Sequence, residues 1–310
     1  MSQTSRSLNG VVGANSVTGV IGRKREMHQL SSCLGAKRNV LIEGPVGVGK
    51  THLAIAVSGE LKVPIFRVDG DNRYSEQKLS GWFDPPTVIK KGYGPDSFLP
   101  GPLVEAMRQG GVLFINELNR LPEGVQNVLL PAIDERILLI PRLGEIRAHP
   151  NFLVIATQNP KEFVATSHLS EAIMDRFELV VLDYQSESEE VEIVAARLTG
   201  HTLPDPVATL LPIASVRLIR LTREQPRVRR GASLRAALSV TEIASVMIQN
   251  GAVFKDAFLD AALMSLPTRI EIEREADLER SFYSEVEALI REWVALVLNE
   301  LENPGIKKKP

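Results

Sequence analysis

The residues best suited to chemistry stand in one run, Gly44-Pro45-Val46-Gly47-Val48-Gly49-Lys50-Thr51, with His52 directly after it. Glycines at these spacings let the backbone curl so that several N–H groups aim at one anion. An ammonium and a hydroxyl follow at once. The pattern fits G-x-x-x-x-G-K-[ST] in full, and its chemistry is the cradling of phosphates. Lys50 would reach terminal phosphates as a point charge, and the Thr51 hydroxyl would ligate Mg²⁺. A second run, Val112-Leu113-Phe114-Ile115-Asn116-Glu117, is apolar and ends in polar groups. Two acids are expected at such a strand end, one acting on Mg²⁺ through water and one orienting or deprotonating an attacking water. Glu117 suits the second role. Asn116 stands where the first acid is expected; it keeps an acceptor oxygen but lacks the negative charge. A third run, Phe152–Ala156, leads into Thr157-Gln158-Asn159-Pro160. The Asn159 amide there would bond a γ-phosphate or the attacking water; the competing reading is a simple Asn-Pro turn.

Positioning these groups requires strands that end together. Short apolar runs at Asn39–Ile42, Val63–Val68, Val112–Ile115, Phe152–Ala156 and Leu179–Leu182 alternate with helical segments such as Lys24–Leu34 and Thr51–Leu61. Continuous rather than alternating apolar runs suit parallel strands covered on both faces, so an α/β core with a five-stranded parallel sheet is expected over 20–185. Residues 1–19 are rich in Ser, Gly and Asn and read as a loose arm. From Ser186 the pattern reads as helices only, with segments at Glu187–Leu198, Ala232–Gln249 and Leu278–Leu301, giving a helical domain over 186–310. The chain ends in a basic tail, Lys307-Lys308-Lys309, which reads as solvated.

Composition narrows the field further. Hydrophobic residues make up 44% of the 310, enough for buried cores and incompatible with a disordered chain. A net charge of −2 argues against a surface built throughout for nucleic acid. One cysteine, Cys33, excludes an intramolecular disulfide. No run of 18 apolar residues is present, and the N-terminus lacks the apolar stretch of a signal peptide, so a cytoplasmic protein is expected. No N-K-x-D tetrapeptide is present to read guanine.

Taken together the strings EGPVGVGKTHLA (43–54), PGPLVEAMRQGGVLFINELNR (100–120), LLPAIDER (129–136), VIATQNP (154–160), LSEAIMDRF (169–177) and GASLRAAL (231–238) resemble those of the AAA+ ATPases, and within them the MoxR family. Their order and spacing cover about residues 17–265. The resemblance implies a P-loop core with a C-terminal helical lid, and ATP with Mg²⁺ as ligands. Gly44 through His52 would bind the nucleotide, and Val20-Ile21-Gly22 would line the adenine pocket. Thr51 and Asn116 would hold Mg²⁺, the latter through water. Glu117 would activate water and Asn159 would act as sensor 1. Arg176 is similar to an arginine finger supplied to a neighbouring subunit, and Arg235 to sensor 2. For Arg176 the competing reading is a local ion pair with Asp175 or Glu178, and for Arg235 an exposed helix residue. A finger acting in trans implies a homo-oligomeric ring, hexameric in such families.

The family resemblance further implies a chaperone-like ATPase that matures or remodels a client complex. It also implies a separate partner carrying a von Willebrand A domain. Two alternatives stand beside it: an ATP-binding switch impaired in hydrolysis by Asn116, and a helicase-like motor. Gly81–Pro100 and Ile137–Asn151 read as an insert and a hairpin, whose Trp82, Phe83, Tyr93, Arg142 and Arg147 would touch a substrate or partner; the competing readings are local packing for the aromatics and a solvated hairpin for the arginines. The run Arg217, Arg220, Arg223, Arg227, Arg229 and Arg230 is the strongest nucleic-acid signal. It leads straight into the sensor 2 string, so a nucleic-acid partner is not expected.

Overall fold

The computed structural model describes residues 19–159, 169–198, 200, 203–273 and 282–303. The N-terminal arm up to residue 18, Pro160, residues 278–281 of the last expected helix and the basic tail lie outside the described residues. The chain divides into two compact units between Asp183 and Tyr184.

In the first unit the strands run, in chain order, β1 (Asn39–Glu43), β2 (Ile65–Asp69), β3 (Gly81–Phe83), β4 (Phe98–Pro100), β5 (Val112–Asn116), β6 (Ile137–Ile140), β7 (Gly144–Arg147), β8 (Leu153–Gln158) and β9 (Phe177–Val181). Five form one parallel sheet, in the order β2-β5-β8-β1-β9. Burial explains the apolar runs. Every residue of the central strand β8 is buried, whereas the edge strand β9 buries only Val180. Successive side chains point to opposite faces, so each central strand needs apolar residues on both. Leu41, Leu113, Ile115 and Val154 share a cluster with Leu103, Val104 and Met107 of the helix Pro102–Gln109. The alternate residues Val40, Ile42, Phe114 and Ile155 are equally buried. The helix Lys24–Gly35 packs on β1 and β9, and Lys50–Glu60 packs on β5 and β8.

The two insertions are small antiparallel pairs. β3 pairs with β4, enclosing the helix Pro85–Lys91, which Asp84 caps by accepting from the Thr87 amide at 3.1 Å. β6 pairs with β7 through a turn in which Arg142 takes φ +65°. The Arg142 guanidinium stacks 4.0 Å over the Tyr93 ring, and Phe83 meets Tyr93 and Phe98 edge-on at 5.1 and 5.3 Å. Local packing therefore occupies Phe83, Tyr93 and Arg142. Arg147 pairs with Glu145 at 2.6 Å, and Trp82 remains 41% exposed.

The second unit holds the helices Glu187–Arg197, Val207–Glu224, Leu234–Gln249, Phe254–Ser265 and Phe282–Glu302 around Phe258, Trp293 and a set of alanines. It is not helical throughout. Val228–Arg230 pairs antiparallel with Glu271–Ile272, which corrects the expectation of helices alone. Segments this short carry no period-two pattern, and their pairing is remote in sequence. Val207–Glu224 and Phe254–Ser265 also escape the periodicity reading. The first contains Pro212, which removes one backbone donor, yet eight of its residues are buried.

The arginine run is largely consumed within this unit. Arg217 pairs with Glu187 at 2.9 Å, Arg227 with Glu285, and Arg229 with Glu271 at 3.7 Å. Arg220 and Arg223 both bond Glu190, at 3.0 and 2.8 Å, and the Glu190 side chain is 2% exposed. Arg223 also lies 3.8 Å over the Tyr184 ring and donates to the Ala232 carbonyl at 2.9 Å. Removing the carboxylate would leave guanidinium groups without their counter-charge. Glu190→Ala is therefore expected to cost about 3–5 kcal/mol of stability in this unit. Urea unfolding followed by Trp293 fluorescence, in a Trp82→Phe background, measures it; a loss below about 1 kcal/mol would refute the expectation.

Candidate functional site

The strands of the sheet are parallel, so β1, β2, β5 and β8 end on one edge. From β1 the chain crosses to β2 at the far side, works back through β5 and β8, and then passes beyond β1 to β9. The glycine-rich turn leaves β1 where this winding reverses, the place where open α/β sheets bind ligands. Gly47 and Gly49 hold φ of +78° and +93°, a region costly for any residue with a Cβ. Lys50 opens its helix, and its Nζ donates to the carbonyls of Gly44 and Pro45 at 2.6 and 2.9 Å. The ammonium thus sits over the mouth of the loop, next to the helix N-terminus.

A connected polar network adjoins the loop. Thr51 Oγ1 donates to Asn116 Oδ1 at 3.1 Å. Thr157 Oγ1 donates to the same Asn116 oxygen at 3.1 Å and accepts from the Glu117 amide at 2.9 Å. Asn116 Nδ2 donates to Asp69 Oδ1 at 3.0 Å. Asp69 is also held by Arg67, whose Nη2 lies 2.7 Å from Oδ1. Burial pushes the Asp69 carboxyl up, but the bonds from Arg67 and Asn116 outweigh it and hold the group below its usual range. Glu117 itself has φ +61° and ψ +58°, an uncommon conformation for a non-glycine residue and one that concentrates at functional sites. Its carboxylate pairs with Arg120 at 3.1 Å.

The structure thus gathers Gly44, Pro45, Lys50, Thr51, Asn116 and Glu117 at one edge. Val46 is 40% exposed and Val48 is buried. His52 lies one residue beyond Thr51 on the same helix. Asn159 is buried directly after β8. Val20 and Ile21 are half-buried. They are followed by Arg23, whose guanidinium donates to the carbonyls of Val48, at 3.2 Å, and Asp183. Arg176 pairs with Asp134 at 2.8 Å and more distantly with Asp175 at 3.9 Å, and donates to the Ala172 carbonyl at 2.6 Å, the local ion pairing of the competing reading. Arg235 belongs to the second unit, near the start of the helix Leu234–Gln249. Three contributors are not singled out by sequence reading: Asp69, Thr157 and Arg23. The strand run taken to end at Val68 stops one residue short of Asp69, and only the β2–β5 register sets Asp69 beside Asn116.

A divalent cation fits this edge. Thr51 and Asn116 offer hard oxygen donors, and Asp69 adds negative charge one bond away. Among the described residues no cluster of three or more His, Cys, Asp or Glu side chains could hold a metal alone. A cation here would therefore be held largely by phosphate oxygens and water.

The AAA domain of the dynein-related subfamily matches residues 39–177. The gas vesicle ATPase GvpN of Haloferax mediterranei is 32% identical over 225 residues, covering 67% of this chain. The chain spans 62% of that relative's length. The uncharacterized protein YeaC of Bacillus subtilis is 25% identical over 313 residues, covering 92% of each chain. Among solved structures, a point mutant of Thermotoga maritima RuvB superposes with a TM-score of 0.55 at 22% identity, covering 80% of this chain and 72% of the other. That likeness speaks for the fold. Residues 39–177 form an AAA+ ATPase domain of the P-loop NTPase superfamily, related to that of the GvpN ATPases and sharing its fold with RuvB.

Proposed function

We propose that this protein is a Mg²⁺-dependent ATPase of the MoxR type, working as a homo-oligomeric ring that remodels or matures a client complex. One observation carries the reading: the glycine-rich loop, the Lys50 ammonium, the Thr51 hydroxyl, Asn116 and the strained Glu117 converge on one edge of a parallel sheet. Backbone N–H groups and Lys50 take the phosphates. Thr51 and Asn116 would hold the cation, which when bound would neutralise charge on the β- and γ-phosphates. Glu117 orients the attacking water and accepts its proton. Asn159 contacts the γ-phosphate as sensor 1, Arg235 is assigned the sensor 2 role, and Arg176 serves the adjoining subunit's site. The client-remodelling role and a von Willebrand A partner rest on the sequence strings given above. A ring is required by the assignment of Arg176.

A nucleic-acid motor is less favoured. Five of the six arginines that suggested it, all but Arg230, form ion pairs within their own unit. Charges already paired release fewer counterions from a phosphate backbone.

Calorimetry with ATP and Mg²⁺ tests the reading. Lys50→Ala is expected to weaken ATP binding by roughly 10- to 150-fold, the equivalent of a lost hydrogen bond to a charged group at about 1.5–3 kcal/mol. No uptake of ATP by the parent, or an affinity in the variant within twofold of the parent, would remove the nucleotide reading.

A further inference from the structure

The loss of an acid at position 116 leaves the cation edge one negative charge short of the usual pair. The structure holds a carboxylate against that position from the neighbouring strand. In the parallel register of β2 and β5, Asp69 lies directly beside Asn116. The backbone fixes this approach. The Gly70 amide donates to the Asn116 carbonyl at 2.7 Å. A Cβ at Gly70 would lie 2.0 Å from the Glu117 carbonyl oxygen, so glycine alone allows β2 to end this close. The rotamer is fixed as well. Arg67, two residues back on the same face, grips the carboxylate through Nε and Nη2 at 2.7–3.1 Å.

The network also decides which way the Asn116 amide faces. A carboxylate only accepts, so Asp69 takes the amide NH₂. The amide oxygen is thereby turned to the Thr51 and Thr157 hydroxyls, the side on which the cation is expected. A carboxylate bonded to the NH₂ polarises the amide and makes that oxygen a better acceptor. We propose that Asp69 is a positioning residue of the cation site: by accepting from the Asn116 NH₂ it turns the polarised amide oxygen towards the cation and partly compensates for the charge that Asn116 lacks. This inference rests on the nucleotide-binding reading of the same edge.

The test is the gain in nucleotide affinity that Mg²⁺ confers: the dissociation constants of ADP and ATP measured by calorimetry in EDTA and in excess Mg²⁺. Asp69→Asn is expected to shrink that gain by about 10- to 100-fold, the usual loss when an outer partner of a metal ligand is removed. Affinity in EDTA should stay within a few-fold of the parent. Adding Asn116→Asp to Asp69→Asn should restore the gain, because the charge returns one strand over. Arg67→Ala breaks the same ion pair but keeps the carboxylate and its bond to the Asn116 amide, so most of the gain should persist. A gain in Asp69→Asn within twofold of the parent overturns the proposal. So does failure of the double variant to recover, or an equal loss in Arg67→Ala, either of which would assign Asp69 a purely structural part. The two levels separate cleanly. A parent that binds nucleotide with a strong Mg²⁺ gain indifferent to Asp69 removes this proposal alone, whereas a parent that takes up no nucleotide removes both.

Discussion

Glu117→Gln is expected to lower ATP turnover by about 10²–10⁴-fold, the usual contribution of a positioned general base, while ATP affinity stays within a few-fold of the parent. Gln keeps the size and hydrogen-bonding reach of Glu but cannot take a proton at neutral pH. The backbone that aims this side chain does not depend on the carboxylate. The Glu117 amide donates to Thr157 Oγ1, and its carbonyl accepts from the Arg120 amide at 2.9 Å. What the substitution does remove is the ion pair with Arg120, a partly exposed contact of small energetic weight. A binding-competent, slow variant is therefore the expected product. The same measurement decides on the impaired-switch alternative. If the parent turns over no faster than Glu117→Gln, and Asn116→Asp raises turnover, the missing charge at 116 is limiting and the switch reading replaces the ATPase reading.

Arg176→Ala is expected to cost still more, about 10³–10⁵-fold in turnover, the range for an arginine supplied to a transferring phosphoryl group. Within the single chain Arg176 is engaged with Asp134 and the Ala172 carbonyl, and its side chain is 31% exposed. Asp134 can orient the guanidinium towards a neighbour, much as a carboxylate fixes any planar fork. Subunit mixing separates this from a structural role. Arg176→Ala subunits retain Glu117, and Glu117→Gln subunits retain Arg176. A mixed ring therefore contains interfaces with both groups intact, and turnover should recover on mixing two variants that are each nearly inactive alone. Absence of recovery, together with a lowered unfolding temperature of Arg176→Ala, would leave Arg176 a structural role alone, through Asp134, Asp175 and the Ala172 carbonyl.

Much of the first unit could be read from the chain because its signals are local. A glycine-rich turn between an apolar run and a helix has few alternatives, since φ values such as those of Gly47 and Gly49 exclude most residues. Five uninterrupted apolar runs separated by helical segments lead to a parallel sheet, because only strands covered on both faces need them. The aromatic insert admits two readings; in the structure Phe83 meets Tyr93 edge-on, and Arg142 of the hairpin stacks on Tyr93, a contact that no local spacing signals.

What escaped the sequence was non-local. Nothing in the chain says that β5 lies between β2 and β8, so neither Asp69 nor Thr157 carries a visible link to Asn116 although all three meet at one sheet edge. The arginine run showed charge but not its partners. Glu190 lies about 30 residues away along the chain from the two arginines it pairs with. Residue types and short spacings thus named the chemistry. Strand order and register, set by burial across the whole sheet, decided which side chains share it.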